Sequence, residues 1–179
     1  MCINDQRLFF ALDISFHDKA LLHQWWQQQA IEDVRAITPA NYHITLAFLG
    51  RLTEQQKKIF IERVTSYTTQ NVFASNYTIT LTKLDYFKKP QVAYLTFESF
   101  PTSLIGLANF ISNQAKIMGL FQEDRAYLPH LSIARKVKHP LNITQLSHPL
   151  RINSFSLYHS QSTNDGVKYT PIKQWTLKS

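Results

Sequence analysis

The chain has 179 residues, 44% of them hydrophobic and only 4 of them glycine, which suits one domain with a sizeable core or two small lobes sharing one. A net charge of +7 makes polyanions compatible partners without identifying one. The single cysteine, Cys2, excludes an internal disulfide and fits a reducing compartment. The apolar stretch 8–12 is too short to span a bilayer, and no signal peptide precedes it, so we expect a soluble cytoplasmic protein.

Runs of β-branched, aromatic and alternating apolar residues indicate the strands. In chain order, strands are predicted at 7–14, 34–37, 42–49, 77–87, 92–97, 128–135, 151–159 and 167–177. A loop rich in Ser, Thr and Asn is predicted between the last two, at 160–166.

Three helices are predicted between the strands. The first is capped by Ser15 and contains the pair Trp25–Trp26, whose helical spacing favours core packing over a ligand platform. The second begins at a capping box opened by Thr53, and the third runs from Pro101 to Gly119. This order of elements predicts an α+β fold with antiparallel sheets.

The segment Pro39–Gly50 carries the first notable pattern. Successive side chains of a strand point to opposite faces, so His43 and Thr45 share one face of the predicted strand. The other face is apolar and is expected to pack in the core; it comprises Ile44, Leu46 and Phe48. Gly50 is expected to end the strand.

The segment Leu128–Arg135 repeats this pattern in the second half of the chain. His130 and Ser132 share one face, and the opposite face is again apolar. Spacing alone leaves two alternatives open: one shared catalytic site, or two unrelated hydrogen-bonded histidines.

Elementary chemistry narrows the kind of site that the two histidines could form. No carboxylate lies at a ligand spacing from either histidine, so we expect no metal and no cofactor. Nothing in the sequence marks Ser132 or Cys2 as a nucleophile activated by a histidine and an acid. Two histidines without a metal suit in-line phosphoryl transfer, because one imidazole can remove a proton while the other donates one near neutral pH.

The wider motifs resemble a known family. Pro-x-Asn-x-His-x-Thr-Leu-x-Phe-Leu-Gly at 39–50 and Pro-His-x-Ser-x-x-Arg at 129–135 are similar to the two signature strands of the two-histidine (2H) phosphoesterases. The most similar branch is the RNA 2′,3′-cyclic phosphodiesterases, also called 2′-5′ RNA ligases. Residues 7–12 resemble that family's first strand, and 155–169 its closing hairpin, so the resemblance runs nearly end to end.

The resemblance implies a single bilobal domain over residues 1–179, in which two antiparallel sheets face each other across a central cleft with helices outside. It implies that His43 donates a proton to the leaving 3′-oxygen and that His130 accepts a proton from water, leaving a 2′-phosphate. Thr45, Ser132 and Arg135 would bind the phosphate. The partner would be an RNA or nucleotide with a 2′,3′-cyclic phosphate end, and a monomer is the default expectation.

One departure from the family's pattern and three alternatives accompany this interpretation. Ser132 stands where the family more often has threonine, which implies looser positioning of the hydroxyl. Phe48 and Tyr158 could stack a base, since aromatic faces bind single-stranded RNA, although alternation favours Phe48 in the core. The alternatives are 2′-5′ RNA ligation, cleavage of 2′-5′ oligonucleotides at the same site, and a module that binds RNA ends without turnover.

Overall fold

The computed structural model describes residues 6–74, 76–124, 126–143, 146–164 and 166–178, so Cys2 lies outside the described residues. In chain order, its elements are β1 (Gln6–Leu12), α1 (Phe16–Gln28), β2 (Arg35–Ala36), a 3₁₀ turn (Pro39–Asn41), β3 (Ile44–Leu52), α2 (Glu54–Gln70), β4 (Tyr77–Phe87), β5 (Val92–Phe97), α3 (Thr102–Ile117), β6 (Leu131–Arg135), β7 (His148–Ile152), β8 (Ser154–Thr163) and β9 (Gly166–Thr176).

The strands form one antiparallel, curled sheet in the order β7-β4-β5-β6-β3-β1-β8-β9, and β2 pairs with the edge of β6. The predicted α+β class with antiparallel strands is therefore confirmed. The two predicted sheets are the two halves of this single sheet, one comprising β7, β4, β5, β6 and β2 and the other β3, β1, β8 and β9, and one residue pair, Ile44–Leu131, joins β3 to β6. The centre of the sheet is thus its most weakly paired point.

The predicted helix signals are confirmed. The Ser15 side chain accepts a hydrogen bond from the Asp18 backbone N–H, and Thr53 and Gln56 form the complete capping box. Trp26 is buried in the core, as its helical spacing predicts. Helices α2 and α3 contact each other through stacked rings of Tyr67 and Phe110, whose centroids lie 4.0 Å apart.

The prediction of one strand over 151–159 is wrong. The chain forms β7 and then β8, which pair with β4 and β1 and so belong to different halves of the sheet. Local alternation does not register this crossing, because polar and apolar residues alternate in both strands. The predicted loop at 160–166 is also shorter than expected, since β8 continues to Thr163 and pairs there with Gly166.

Strand β3 differs from its prediction at both ends and in its alternation. It begins at Ile44, after the 3₁₀ turn, and it runs through Gly50 to Leu52 instead of ending at the glycine. Its pairing with β1 shifts register twice, so that Phe48 lies opposite Phe9 and Thr45 opposite Ala11. A bulge of this kind turns the following side chains to the other face. Phe48 is consequently 61% exposed and lies on the cleft side, which contradicts the prediction that it packs in the core.

Candidate active site

The pair Ile44–Leu131 brings the two histidine motifs together. Ile44 and Leu131 are fully buried on the core face, so the residues that flank them project from the opposite face. Antiparallel pairing sets His43 towards Ser132 and Thr45 towards His130, with the two imidazoles on a diagonal. Four polar side chains therefore surround one apolar pair.

The backbone orients the His43 ring. Its Nδ1 lies 2.6 Å from the carbonyl oxygen of Asn41, and because a carbonyl can only accept, Nδ1 carries the proton. Its Nε2 lies 3.0 Å from the Thr45 hydroxyl. The ring is half-buried, with centroids 5.0 Å from Phe9 and 5.1 Å from Tyr169. Nε2 is thus the nitrogen that can exchange a proton with a ligand.

The His130 ring is oriented by the backbone in the same way, in the other half of the sheet. Its Nδ1 lies 2.8 Å from the carbonyl oxygen of Leu128, again two residues earlier in the chain. The edges of Phe87 and Tyr94 pack against this ring, with centroids 5.2 and 5.3 Å away. Each histidine therefore directs its Nε2 side away from the backbone that holds Nδ1.

The charge environment of His43 is unusual. Burial, which disfavours the charged imidazolium, lowers the pKa of His43 to about 4. The carbonyl of Asn41 opposes this shift, whereas the positive charges of Lys19, His130 and Arg135 add to it. At neutral pH the unliganded protein thus holds His43 in its neutral form.

All five predicted site residues line one cavity of about 240 Å³, which we call the histidine cavity. It also contains residues that were not predicted as site residues, and its lining includes Arg35, Asn41, His43, Thr45, Phe48, His130, Ser132, Arg135 and Tyr169. Pairing of Arg35 with Arg135 across β2 and β6 places two guanidinium groups on its rim. The arrangement offers two imidazoles, two hydroxyls and positive charge to an anion.

A second cavity, of about 280 Å³, adjoins the first, and we call it the gap cavity. The two cavities share Thr45, Phe48 and His130. The gap cavity lies where β3 and β6 separate beyond their single pair, and its other walls come from α3 and from residues 121–123 and 126–128. No local pattern signalled it, since it depends on the divergence of two strands.

The structure places Tyr158 away from the base-stacking position considered for it, and it adds Arg35 to the site. Tyr158 stacks on the buried Phe9, with centroids 5.3 Å apart, and donates its hydroxyl to Asp13 at 2.6 Å. Tyr158 therefore packs behind Phe9, which contacts the His43 ring, and it does not line either cavity. Arg35 was not predicted as a site residue, because its place in the cavity depends on a two-residue strand paired to β6.

Among the residues that the structure describes, no three histidine, cysteine or carboxylate side chains lie close enough together to hold a metal ion. In the same part of the chain, every helix is too short or too polar to cross a membrane.

Comparison with known proteins agrees with this geometry. A family model described as LigT-like phosphoesterase matches residues 22–94. The RNA 2′,3′-cyclic phosphodiesterase of Escherichia coli is 29% identical over 175 residues, covering 96% of this chain and 97% of the relative. The enzyme of the same name from Methanocaldococcus jannaschii is 25% identical and covers 94% of this chain and 99% of the relative.

The fold agrees over the same length. The structure of Escherichia coli LigT complexed with 3′-AMP superposes with a TM-score of 0.86 at 28% identity, and the alignment covers 98% of this chain and 100% of LigT. The family model, the full-length relatives and the shared fold lead to one conclusion: the chain is similar to the LigT-like phosphoesterases over nearly its whole length.

Proposed function

We propose that this protein hydrolyses the 2′,3′-cyclic phosphate end of RNA to a 2′-phosphate by two-histidine acid–base catalysis. The observation that carries the proposal is the arrangement of His43, Thr45, His130 and Ser132 around the buried pair Ile44–Leu131. It supplies two proton-transfer groups and two hydrogen-bond donors at one cavity, which suits in-line attack at phosphorus. The names of the full-length relatives support the same substrate class.

In the proposed reaction, Nε2 of His130 accepts a proton from water as the water oxygen bonds to phosphorus. The bond between phosphorus and the 3′-oxygen breaks, and Nε2 of His43 donates its proton to that oxygen. The 2′-ester bond remains, so the product is a 2′-phosphate. Proton transfer by positioned groups of this kind contributes roughly 10²–10⁴-fold to the rate.

Because the pKa of His43 is low in the free protein, His43 can act as a proton donor at neutral pH only if the substrate raises that pKa. The phosphodiester carries a negative charge, which favours the imidazolium and opposes the positive charges of Lys19, His130 and Arg135. Entry of the substrate thus raises the pKa of His43 and prepares the proton donor in the place where it acts. Without substrate, the same ring stays neutral.

The hydroxyls and the guanidinium groups bind the phosphate in this proposal. Thr45 and Ser132 donate to the non-bridging oxygens, where negative charge accumulates in the transition state. Arg135 contributes positive charge at the rim, and Arg35 stands beside it on the neighbouring strand. We further propose that residues 1–179 act as one bilobal domain, as a monomer, and on RNA in the cytoplasm.

The test is incubation with adenosine 2′,3′-cyclic phosphate, with and without a chelator, followed by separation of the 2′- and 3′-phosphate isomers. We expect the 2′-phosphate alone, at a rate that the chelator leaves unchanged. Formation of the 3′-phosphate would overturn the assignment of His43 as donor to the 3′-oxygen. Tight binding without turnover would instead favour a module that binds RNA ends.

A further inference from the structure

We propose that the RNA strand on the 5′ side of the cyclic phosphate runs over four exposed lysines beside the histidine cavity, which we call the lysine patch: Lys88, Lys89, Lys136 and Lys138. This inference rests on the proposed function and adds to it a preference for an RNA chain over a single nucleotide. A cyclic phosphate lies at the 3′ end of its RNA, so every other phosphate of the chain must leave the cavity on the 5′ side.

The lysine patch is formed by two loops that the sheet holds side by side. Two of its lysines lie in the turn between β4 and β5, and the other two follow β6. Strands β5 and β6 pair as far as Val92 and Arg135, and beyond that pair the Val137 backbone N–H donates to the Gln91 carbonyl at 3.1 Å. Val137 is fully buried and so anchors its loop, while the lysine on either side of it is exposed.

Both loops begin at residues of the proposed active site. The ring of Phe87, which immediately precedes the first lysine, packs against His130 with centroids 5.2 Å apart. In β6, Ile133 is an extra residue against β5, and this bulge lets Arg135 line the histidine cavity together with Ser132. The second pair of lysines comes directly after Arg135. A strand that leaves the cavity on this side therefore meets positive charge from Arg135 onwards.

The wall of the histidine cavity that comes from β9 offers no such charge. Its residues are Gly166, Val167 and Tyr169, none of which is charged. The cationic side chains that line the cavity are Arg35 and Arg135, which pair with each other across β2 and β6 next to the lysine patch. The side of the cavity that attracts a polyanion is thus the side of the patch.

The segments that surround the lysine patch are also poor in acidic residues. The chain has 12 of them, but none lies in residues 86–97 or 126–164, and the nearest in sequence to the patch is Asp85. The positive charges of the patch therefore add to one field, which attracts a phosphate backbone and weakens as salt is added. Proteins that bind single strands without sequence preference use a charged surface that follows the backbone in this way.

The experiment compares two substrates with the same reacting end: adenosine 2′,3′-cyclic phosphate, and a six-nucleotide RNA that ends in adenosine 2′,3′-cyclic phosphate. Two double variants neutralise the patch, one for each loop: Lys88→Gln/Lys89→Gln and Lys136→Gln/Lys138→Gln. The matched control is Lys58→Gln/Lys168→Gln, which removes two exposed lysines, one on α2 and one on β9 in the other half of the sheet.

We expect each patch variant to raise KM for the RNA by up to about 25-fold at about 0.1 M salt, the factor that two phosphate contacts with a single strand contribute relative to about 1 M salt. It should leave kcat for the RNA and both constants for the mononucleotide nearly unchanged, and the control should change neither substrate. Equal effects on both substrates, or the same loss in the control, would overturn the patch.

Binding separates this proposal from the proposed function. Fluorescence anisotropy with a six-nucleotide RNA that ends in a 2′-phosphate requires no turnover. Each phosphate contact contributes roughly 0.7 to the slope of log affinity against log salt concentration, so each patch variant should lower that slope by up to about 1.4. Between about 50 and 200 mM salt, the wild type should then lose about 7-fold more affinity than the variant.

A lower salt slope in the patch variants, with an unchanged slope in the control, would support the patch even in a protein that hydrolyses neither substrate. Slopes that neither patch variant changes would overturn it. A wild-type enzyme with the same kcat/KM for the mononucleotide and for the RNA at low salt would keep the proposed function and overturn the patch.

Discussion

The two halves of the sheet orient their histidine rings in the same way but place them in different surroundings. In each half the Nδ1 of the histidine bonds to the carbonyl oxygen two residues earlier, Asn41 for His43 and Leu128 for His130. Around His43, burial and nearby cations lower the pKa to about 4, and the Thr45 hydroxyl lies 3.0 Å from the ring nitrogen Nε2. Ring orientation is thus a local property, whereas proton affinity is set by the packing of the whole molecule.

The largest expected effect is the loss of either histidine. His43→Ala and His130→Ala should each lower kcat by about 10²–10⁴-fold, because one proton transfer is lost in each case. The kcat of the double variant should be close to that of the less active single variant, since the two rings act in one step. Turnover of adenosine 2′,3′-cyclic phosphate by the purified variants measures this.

The matched control for these variants is His17→Ala, which removes an exposed imidazole from α1. It should leave kcat and KM unchanged. Full activity in either cleft variant would show that the two halves do not contribute equally to the chemistry.

The two hydroxyls should differ in importance. Thr45→Val removes both a proposed phosphate donor and the partner of His43 Nε2, so kcat should fall by about 10²-fold or more. Ser132→Ala should cost less, because Ser132 lies opposite His43 on the neighbouring strand and the described contacts of His43 Nε2 go to Thr45. Parallel kinetics of both variants would decide this, and a larger loss in Ser132→Ala would reverse the comparison.

Acid should destabilise the protein through His43. The unfolded state takes up a proton near pH 6.5, whereas the folded state resists protonation down to about pH 4. The unfolded state therefore binds more protons in this window, and the free energy of unfolding falls as the pH falls, by at most about 3 kcal/mol. Urea unfolding at pH 7 and pH 4.5 measures the change.

The variant His43→Gln supplies the comparison for this measurement, because glutamine does not titrate. It should lose less stability than the wild type between the two pH values. An identical loss in both proteins would assign the acid sensitivity to other groups.

The smallest expected effect concerns Lys19. Its positive charge is one of the causes that lower the pKa of His43, so Lys19→Met should raise that pKa slightly towards its ordinary value. NMR titration of the His43 ring should give a midpoint near 4 in the wild type and a modestly higher one in the variant. A bound phosphate should raise the midpoint in both proteins, and a midpoint that phosphate leaves unmoved would contradict the proposed charging of His43 by substrate.

Much of the fold could be predicted because its signals are local. The caps at Ser15 and Thr53 depend on residues three positions apart, and both were predicted correctly. The strands Tyr77–Phe87 and Val92–Phe97 have the predicted ends, since a turn and a polar stretch bound them. Where pairing with a distant strand decides the outcome, as in the bulges of β3, prediction failed.

The same distinction applies to the candidate site. His43, Thr45, His130, Ser132 and Arg135 were predicted, and all five line the histidine cavity. Phe48 was assigned to the core, because strict alternation counts no bulges.

The sequence by itself determined which side chains share a face of each histidine strand, because the period of two is a property of the extended backbone. It also determined the caps that start two helices. Only the tertiary structure decided that the two strands meet at Ile44–Leu131, that His43 is neutral without a ligand, and that Phe48 faces the cleft. Those three outcomes depend on pairing register, burial and charge brought from distant parts of the chain, which no local pattern encodes.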